Sequence, residues 1–279
     1  MTMILADTSR NNSTYFWGER TSTLDWCEEN YLTSNYIAEF WNTLTSMIFV
    51  VLAFISIRQC IKYKLQKRII VLFLGIALVG IGSVLFHMTL KLSTQLLDEL
   101  PMIYVTNSFA YLLIESGSEL KYGLALPIFV FALDVAITVT YIFLLNPIFH
   151  QVSFGAVIIF SFVFSAILLR RLPNSSHGKK RLNSLLLRAF FGFLFGFAAW
   201  NLDNICCNSL RSFRIRFGAP WDALLQMHGW WHILTAYSAH CLSLFLTALR
   251  LEISGARPYD IKYFFPGIPF LSFENVKQD

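Results

Sequence analysis

Three histidines carry the strongest chemical signal in the chain. His228 and His232, in MHGWWH, are four residues apart, so on a helix both imidazoles project from one face and can share a metal ion. Gly229 stands where the HExxH motif carries its glutamate, so a general base must come from elsewhere. By itself the HxxxH spacing fits helix packing equally well. His87 adds a third imidazole at the end of an earlier apolar run, and three protein nitrogens plus one water is the pattern of catalytic zinc. Ser83 lies four residues before His87, on the same helical face, and Asp98 eleven residues after it. A hydroxyl for a developing oxyanion and a carboxylate for the proton of water are the parts of metal-assisted hydrolysis. Ser83 sits in GIGSVL, which is neither a GxSxG elbow nor a GxGxxG loop; Gly75, Gly80 and Gly82 read as close helix-packing residues. The structural alternatives are a serine bonded back to its own helix, and an aspartate that caps a helix or orients a histidine.

A second set provides hard oxygen ligands. Asp25, Glu28, Asn30 and Glu39 fall within fifteen residues, and the Trp26 carbonyl can join them. Calcium takes six to eight such oxygens, although the spacing is not an EF-hand. An acidic segment kept outside the cytosol by its charge explains the same residues. In the run WNLDN, Asn201, Asp203 and Asn204 suit a hydrogen-bond network, with support of a metal site as the second reading. His150 and His177 read as solvated loop residues and His240 as a packed or hydrogen-bonded one. Asp134, deep in an apolar run, has no partner visible in the sequence. None of the five cysteines forms CxxC, which argues against a thiolate metal site. Cys60 and Cys241 read as small packing residues.

The elements that must position these groups are membrane helices. Of 279 residues, 56% are hydrophobic and 14% charged, against about 25% charged in soluble domains, and mean hydropathy is +0.55. This excludes a disordered chain, a nucleic-acid-binding domain and an ordinary soluble enzyme. Seven runs approach the roughly 20 apolar residues that cross a bilayer: Trp41–Ile57, Ile69–His87, Pro101–Ile114, Tyr122–Leu145, Val152–Leu169, Leu185–Cys206 and Met227–Leu249. They lack period-2 alternation, which favours helices over a barrel. Nothing reads as a cleavable signal peptide. With the N terminus luminal, sixteen of the 22 Lys and Arg residues face the cytosol, as the positive-inside rule requires. The expected architecture is all-α: a luminal segment over 1–40, a seven-helix membrane domain over 41–249, and a cytosolic tail over 250–279. The sequons at Asn11 and Asn12 would then meet the glycosylation machinery and the one at Asn174 would not. Cys27 and the pair Cys206-Cys207 fall on the luminal side, where disulfides persist; a Cys27–Cys207 bridge would staple the N-terminal segment to the sixth span. The tail segment KYFFPGIPFLSF reads equally as an interfacial stretch or as disorder.

The motifs TSTLDWCEENY, YIAEFWNT, GSVLFHMTLK, QLLDELPMIY, PIFHQV, WNLDN and MHGWWHILT, in this order and spacing, resemble the alkaline ceramidase family, most of all its type-three, phytoceramide-cleaving branch. The resemblance runs from about Ser22 to about Leu249. It implies a seven-helix intramembrane zinc amidase of endoplasmic reticulum and Golgi membranes that splits ceramide into a sphingoid base and a fatty acid. Carried over by position, it implies zinc on His87, His228 and His232. Asp98 would transfer the proton and Ser83 stabilise the oxyanion. Calcium would lie on Asp25, Trp26, Glu28, Asn30 and Glu39, and Cys27 would pair with Cys207. The ceramide substrate would enter from the bilayer, and neither nucleic acid nor a protein partner is implied. Two other classes compete. A zinc-containing receptor of the adiponectin or progestin type would carry a different N-terminal extension and the opposite orientation. A metal or proton transporter would need polar groups along a whole pathway.

Overall fold

The computed structural model describes residues 15–117, 121–173, 177–255, 258–264 and 267–273. The sequons at Asn11, Asn12 and Asn174 lie outside them. Eight α-helices and one hairpin are present among the described residues: α1 (Phe40–Lys62), α2 (Lys67–Thr89), α3 (Leu92–Ile114), α4 (Ala125–Leu144), α5 (Pro147–Arg171), α6 (His177–Ile205), α7 (Cys207–Phe217), α8 (Met227–Ser254), β1 (Asp260–Phe264) and β2 (Ile268–Ser272). Six of the helices, α1, α2, α4, α5, α6 and α8, are long and apolar enough to cross a membrane.

The third expected run differs most from its reading. Helix α3 begins at Leu92, not Pro101, and Pro101 lies inside it. Its first turns contain Gln95, Asp98 and Glu99, with Asn107 beyond, and all four are buried. Hydropathy treats these residues as bound for water, but α3 turns them into the protein. Gly82 of α2 permits the approach: a Cβ there would collide with the Leu97 carbonyl and meet the Asp98 amide at 2.9 Å. Pro101 has no N–H to offer the Leu97 carbonyl, which faces Gly82 instead.

Helix α8 is the axis, buried along most of its length and packed on α6, α1, α2 and α3. Gly192 and Gly196 of α6 lie against Leu234 and Thr235 of α8, the small-residue contact by which helices associate in lipid. Helix α4 lies at the edge, with Tyr141 its one buried residue, and turns Phe129, Phe131 and Phe143 outward. The last carbonyls of α2, which no helical N–H can reach, are taken by the N-terminal segment. The amides of Thr21 and Ser22 donate to Leu90 O, and those of Ala38 and Glu39 to Met88 O and His87 O.

Two elements were not expected. The chain breaks at Cys206 and continues as the amphipathic helix α7, which buries Cys207, Leu210 and Arg214 and exposes Phe213, Ile215 and Phe217. The tail folds back as an antiparallel hairpin on α8. There Tyr237 Oη donates to Gly267 O at 2.9 Å and His240 Nε2 lies 2.8 Å from Pro269 O. Within this tail Leu271 and Phe273 are buried, while Tyr263 and Phe264 are exposed.

Candidate metal centre and its cavity

The C-terminal end of α2 and the first turns of α8 meet at one level, and His87, His228 and His232 converge there. One nitrogen from each lies within 4.8 Å of the others, and all three residues are buried. Among the described residues this is the one such group of three or more His, Cys, Asp or Glu side chains. Each ring is held from behind. His87 Nδ1 is hydrogen-bonded to Glu39 Oε2 at 2.5 Å, the carboxylate–imidazole pairing that orients a metal-binding histidine. His232 Nδ1 faces Thr45 Oγ1 at 3.1 Å and Ser46 Oγ at 3.2 Å. Both hydroxyls donate to carbonyls of their own helix, Trp41 O and Asn42 O, so the ring nitrogen donates to them and its Nε2 keeps a bare lone pair. His228 is stacked on Trp26 with ring centroids 3.8 Å apart, and its buried Nδ1 has no hydrogen-bond partner. Three buried imidazoles with an orphaned nitrogen fit a first-row transition metal, which nitrogen donors favour over calcium or magnesium.

A cavity of about 550 Å³ opens beside the triad, lined by His228, His232, Ser83 and Asp98. The Ser83 hydroxyl is hydrogen-bonded to the Asp98 carboxylate, and its Oγ lies 2.9 Å from Ser46 Oγ. Most of the remaining wall is apolar, with Phe109, Phe162 and Phe193 among its rings, and Glu99 and His150 are among its polar residues. A cavity of this kind accepts hydrocarbon and offers polar chemistry at few points.

The oxygen set is arranged more loosely. Glu28 accepts from the amides of Trp41 and Asn42 at 2.7 and 2.9 Å and so caps α1. Glu39 accepts from the Trp26 amide at 3.2 Å and the Asn42 side chain at 3.0 Å, besides touching His87. Asp25 accepts from Asn30 Nδ2 at 3.1 Å and pairs with Arg20 at 3.2 Å. The three carboxylates do not converge as the imidazoles do, yet they are close enough to repel. Burial, reinforced by Glu39, pushes the Glu28 carboxyl up to about 8. Burial likewise pushes Glu39 up to about 8, with Asp25 adding to it. Asn30 Oδ1 is a buried acceptor without a donor. Crowded carboxyls and an orphaned amide oxygen form a donor set that a hard cation suits.

Asp203 anchors both regions: it accepts from the Cys27 amide at 3.0 Å and from the His228 amide at 3.2 Å, capping α8. Of the three polar residues in WNLDN only Asp203 joins such a network; Asn201 and Asn204 donate to Phe197 O and Trp200 O of their own helix at 2.7 Å. The disulfide joins Cys27 to Cys207, and beside it Arg214 donates to Cys27 O at 2.8 Å and to Glu29 at 2.9 Å. Asp134 has a partner after all, accepting from Asn107 Nδ2 across α3 and α4 at 2.6 Å. His150 is buried, not solvated; its loop reading failed because α5 begins at Pro147 and encloses it. Sequence reading also missed Glu39 as the partner of His87. The hydroxyls of Thr45 and Ser46 were missed too, although the polar residues Asn42, Thr45 and Ser46 opening an apolar run were a legible signal.

Comparison with known proteins covers most of the chain. A family model described as Ceramidase matches residues 18–272. Alkaline ceramidase 3 of Mus musculus is 40% identical over 262 residues, covering 93% of this chain and 95% of its own length. Alkaline ceramidase YPC1 of Saccharomyces cerevisiae is 38% identical over 248 residues, covering 84% and 78% respectively. An alkaline ceramidase of Arabidopsis thaliana is 28% identical over 262 residues, covering 94% and 96%.

Proposed function

The chain belongs to the ceramidase family, and on that footing we propose that it is a zinc-dependent intramembrane amidase. Its reaction is the hydrolysis of ceramides, phytoceramide and dihydroceramide included, to a sphingoid base and a free fatty acid. The observation that carries this reading is the convergence of three buried imidazoles beside Ser83 and Asp98 at the wall of an apolar cavity. An amide flanked by two hydrocarbon chains matches that distribution of polar and apolar surface, each buried CH₂ contributing about 0.8 kcal/mol.

His87, His228 and His232 would hold the metal. When bound, zinc supplies Lewis-acid polarisation of a carbonyl and makes water acidic enough to lose a proton near neutral pH. Asp98 takes the proton of the attacking water and returns it to the amide nitrogen as the C–N bond breaks. Ser83 donates its hydroxyl proton in a hydrogen bond to the carbonyl oxygen as that atom gains charge. Glu39, Thr45 and Ser46 keep the rings in place through the reaction.

Calcium would bind Asp25, the Trp26 carbonyl, Glu28, Asn30 and Glu39, acting as an activator that stiffens the N-terminal segment. Counting α3 with the six apolar helices gives the seven-helix membrane domain over 41–249. Its N-terminal segment would be luminal and its tail from 250 cytosolic, in endoplasmic reticulum and Golgi membranes. The skew of Lys and Arg and a disulfide on the N-terminal segment support that orientation.

The deciding experiment is fatty-acid release from labelled ceramide by the purified protein. Activity should vanish with a zinc chelator, return with added zinc, and be absent from a folded His228→Ala variant that holds no metal. Full activity without metal, or none with zinc restored, would overturn the reading.

A further inference from the structure

The cavity holds a second buried polar pair that this mechanism leaves idle. Glu99 follows Asp98 in α3 and His150 lies in the first turn of α5; they are 5% and 3% exposed, and both line the cavity. One carboxylate oxygen of Glu99 is fully engaged. Its Oε2 accepts from Tyr141 Oη at 2.5 Å and from Gln95 Nε2 at 2.9 Å, and Gln95 is itself fixed by the Thr23 amide at 2.8 Å. The other oxygen, Oε1, has no hydrogen bond among the described residues and lies 3.8 Å from His150 Nδ1, beyond hydrogen-bond reach. His150 Nε2 is 2.8 Å from the Glu99 carbonyl oxygen. A carbonyl only accepts, so Nε2 carries a proton, and in the neutral form of the ring Nδ1 is a second acceptor. Two preorganised acceptors thus face each other at a cavity wall with no donor between them. A ligand that filled the cavity without offering a donor would leave both unpaired, which is costly, and the network behind Glu99 prevents it from turning away.

We propose, resting on the ceramidase reading above, that Glu99 and His150 form the subsite for a hydroxyl of the sphingoid head. Apart from its amide N–H, a ceramide offers only hydroxyls as donors, and two of them flank the amide-bearing carbon. Asp98 and Glu99 line the same cavity, so a lipid held there with its amide at Asp98 keeps its polar head in the space that Glu99 also borders. Glu99 and His150 then select for the polar head, whereas the apolar wall discriminates weakly between chains that differ by one methylene. Lipid amides without a flanking hydroxyl would leave both acceptors unpaired and be rejected.

The test compares kcat/KM of the zinc-loaded, full-length protein for ceramide and for two analogues, each lacking one flanking hydroxyl. At least one analogue should be poorer by about 10–100-fold, the size of a hydrogen bond to a charged group. In Glu99→Gln the side-chain oxygen keeps Tyr141 and Gln95, and the amide group turns to His150 as a donor, closing the subsite. This variant should lose about 10–100-fold on ceramide and change by less than about 3-fold on the poorer analogue. A purely structural role would lower all three substrates alike, and that result overturns the proposal. Equal use of the three substrates by the parent protein overturns it without any variant. Release of fatty acid from none of them would instead remove the ceramidase reading, and this subsite with it.

Discussion

At the scale of single residues, the proposed roles separate by what each substitution leaves intact. Asp98→Asn keeps the volume and removes the base, so kcat should fall about 10²–10⁴-fold while zinc content stays at the parent level; metal analysis beside steady-state kinetics checks both. Ser83→Ala should cost about 10²–10³-fold in kcat, as expected for loss of one oxyanion donor. Glu39 distinguishes two roles within one side chain. Its Oε2 touches His87 and it also belongs to the oxygen set, so Glu39→Gln should weaken zinc binding about 10–100-fold, measured by chelator competition. Unchanged zinc affinity would show that Glu39 serves only the segment around Asp25 and Glu28.

The helices matter through how closely they approach. The hydrogen bond between Ser83 and Asp98 exists because α2 and α3 touch at Gly82, where a methyl group would strike the Leu97 carbonyl. Gly82→Ala should therefore separate the pair. It should destabilise the protein by about 1–3 kcal/mol and reduce turnover with zinc still bound; thermal unfolding and activity measured on one preparation would show it. The link between Asn107 and Asp134 joins α3 to the peripheral α4. Interhelical bonds of this kind contribute about 0.6–1.7 kcal/mol, so Asn107→Ala should lower the melting temperature slightly and leave metal content unchanged.

For the whole molecule, the decisive connection runs between residues 180 positions apart. The Cys27–Cys207 disulfide, Arg214 and Asp203 bind the N-terminal segment to α7 and to the start of α8. Trp26 is thereby seated on His228. Cys207→Ser, or reduction, should cost about 2–5 kcal/mol of stability and lower activity by loosening Trp26 and Glu39. A thermal-unfolding curve unmoved by reductant would contradict this. The proposed orientation has its own check, since glycan should map to Asn11 or Asn12 and never to Asn174.

Much of this protein is written along its chain. Runs of apolar residues dictate membrane helices because an unpaired backbone polar group is intolerable in hydrocarbon. Four-residue spacing places His228 with His232, and Ser83 with His87, because a helix repeats every 3.6 residues. Local periodicity ends at the edge of each helix. That Glu39 backs His87, that Glu99 faces His150, and that the polar opening of α3 turns inward were settled by packing between distant segments, the last of them by the close approach of α3 to Gly82. The same limit explains the hairpin and α7, whose apolar residues are legible but whose partners, α8 and the N-terminal segment, are not. Hydropathy reports that a side chain avoids water, and only the folded arrangement decides whether lipid or protein receives it.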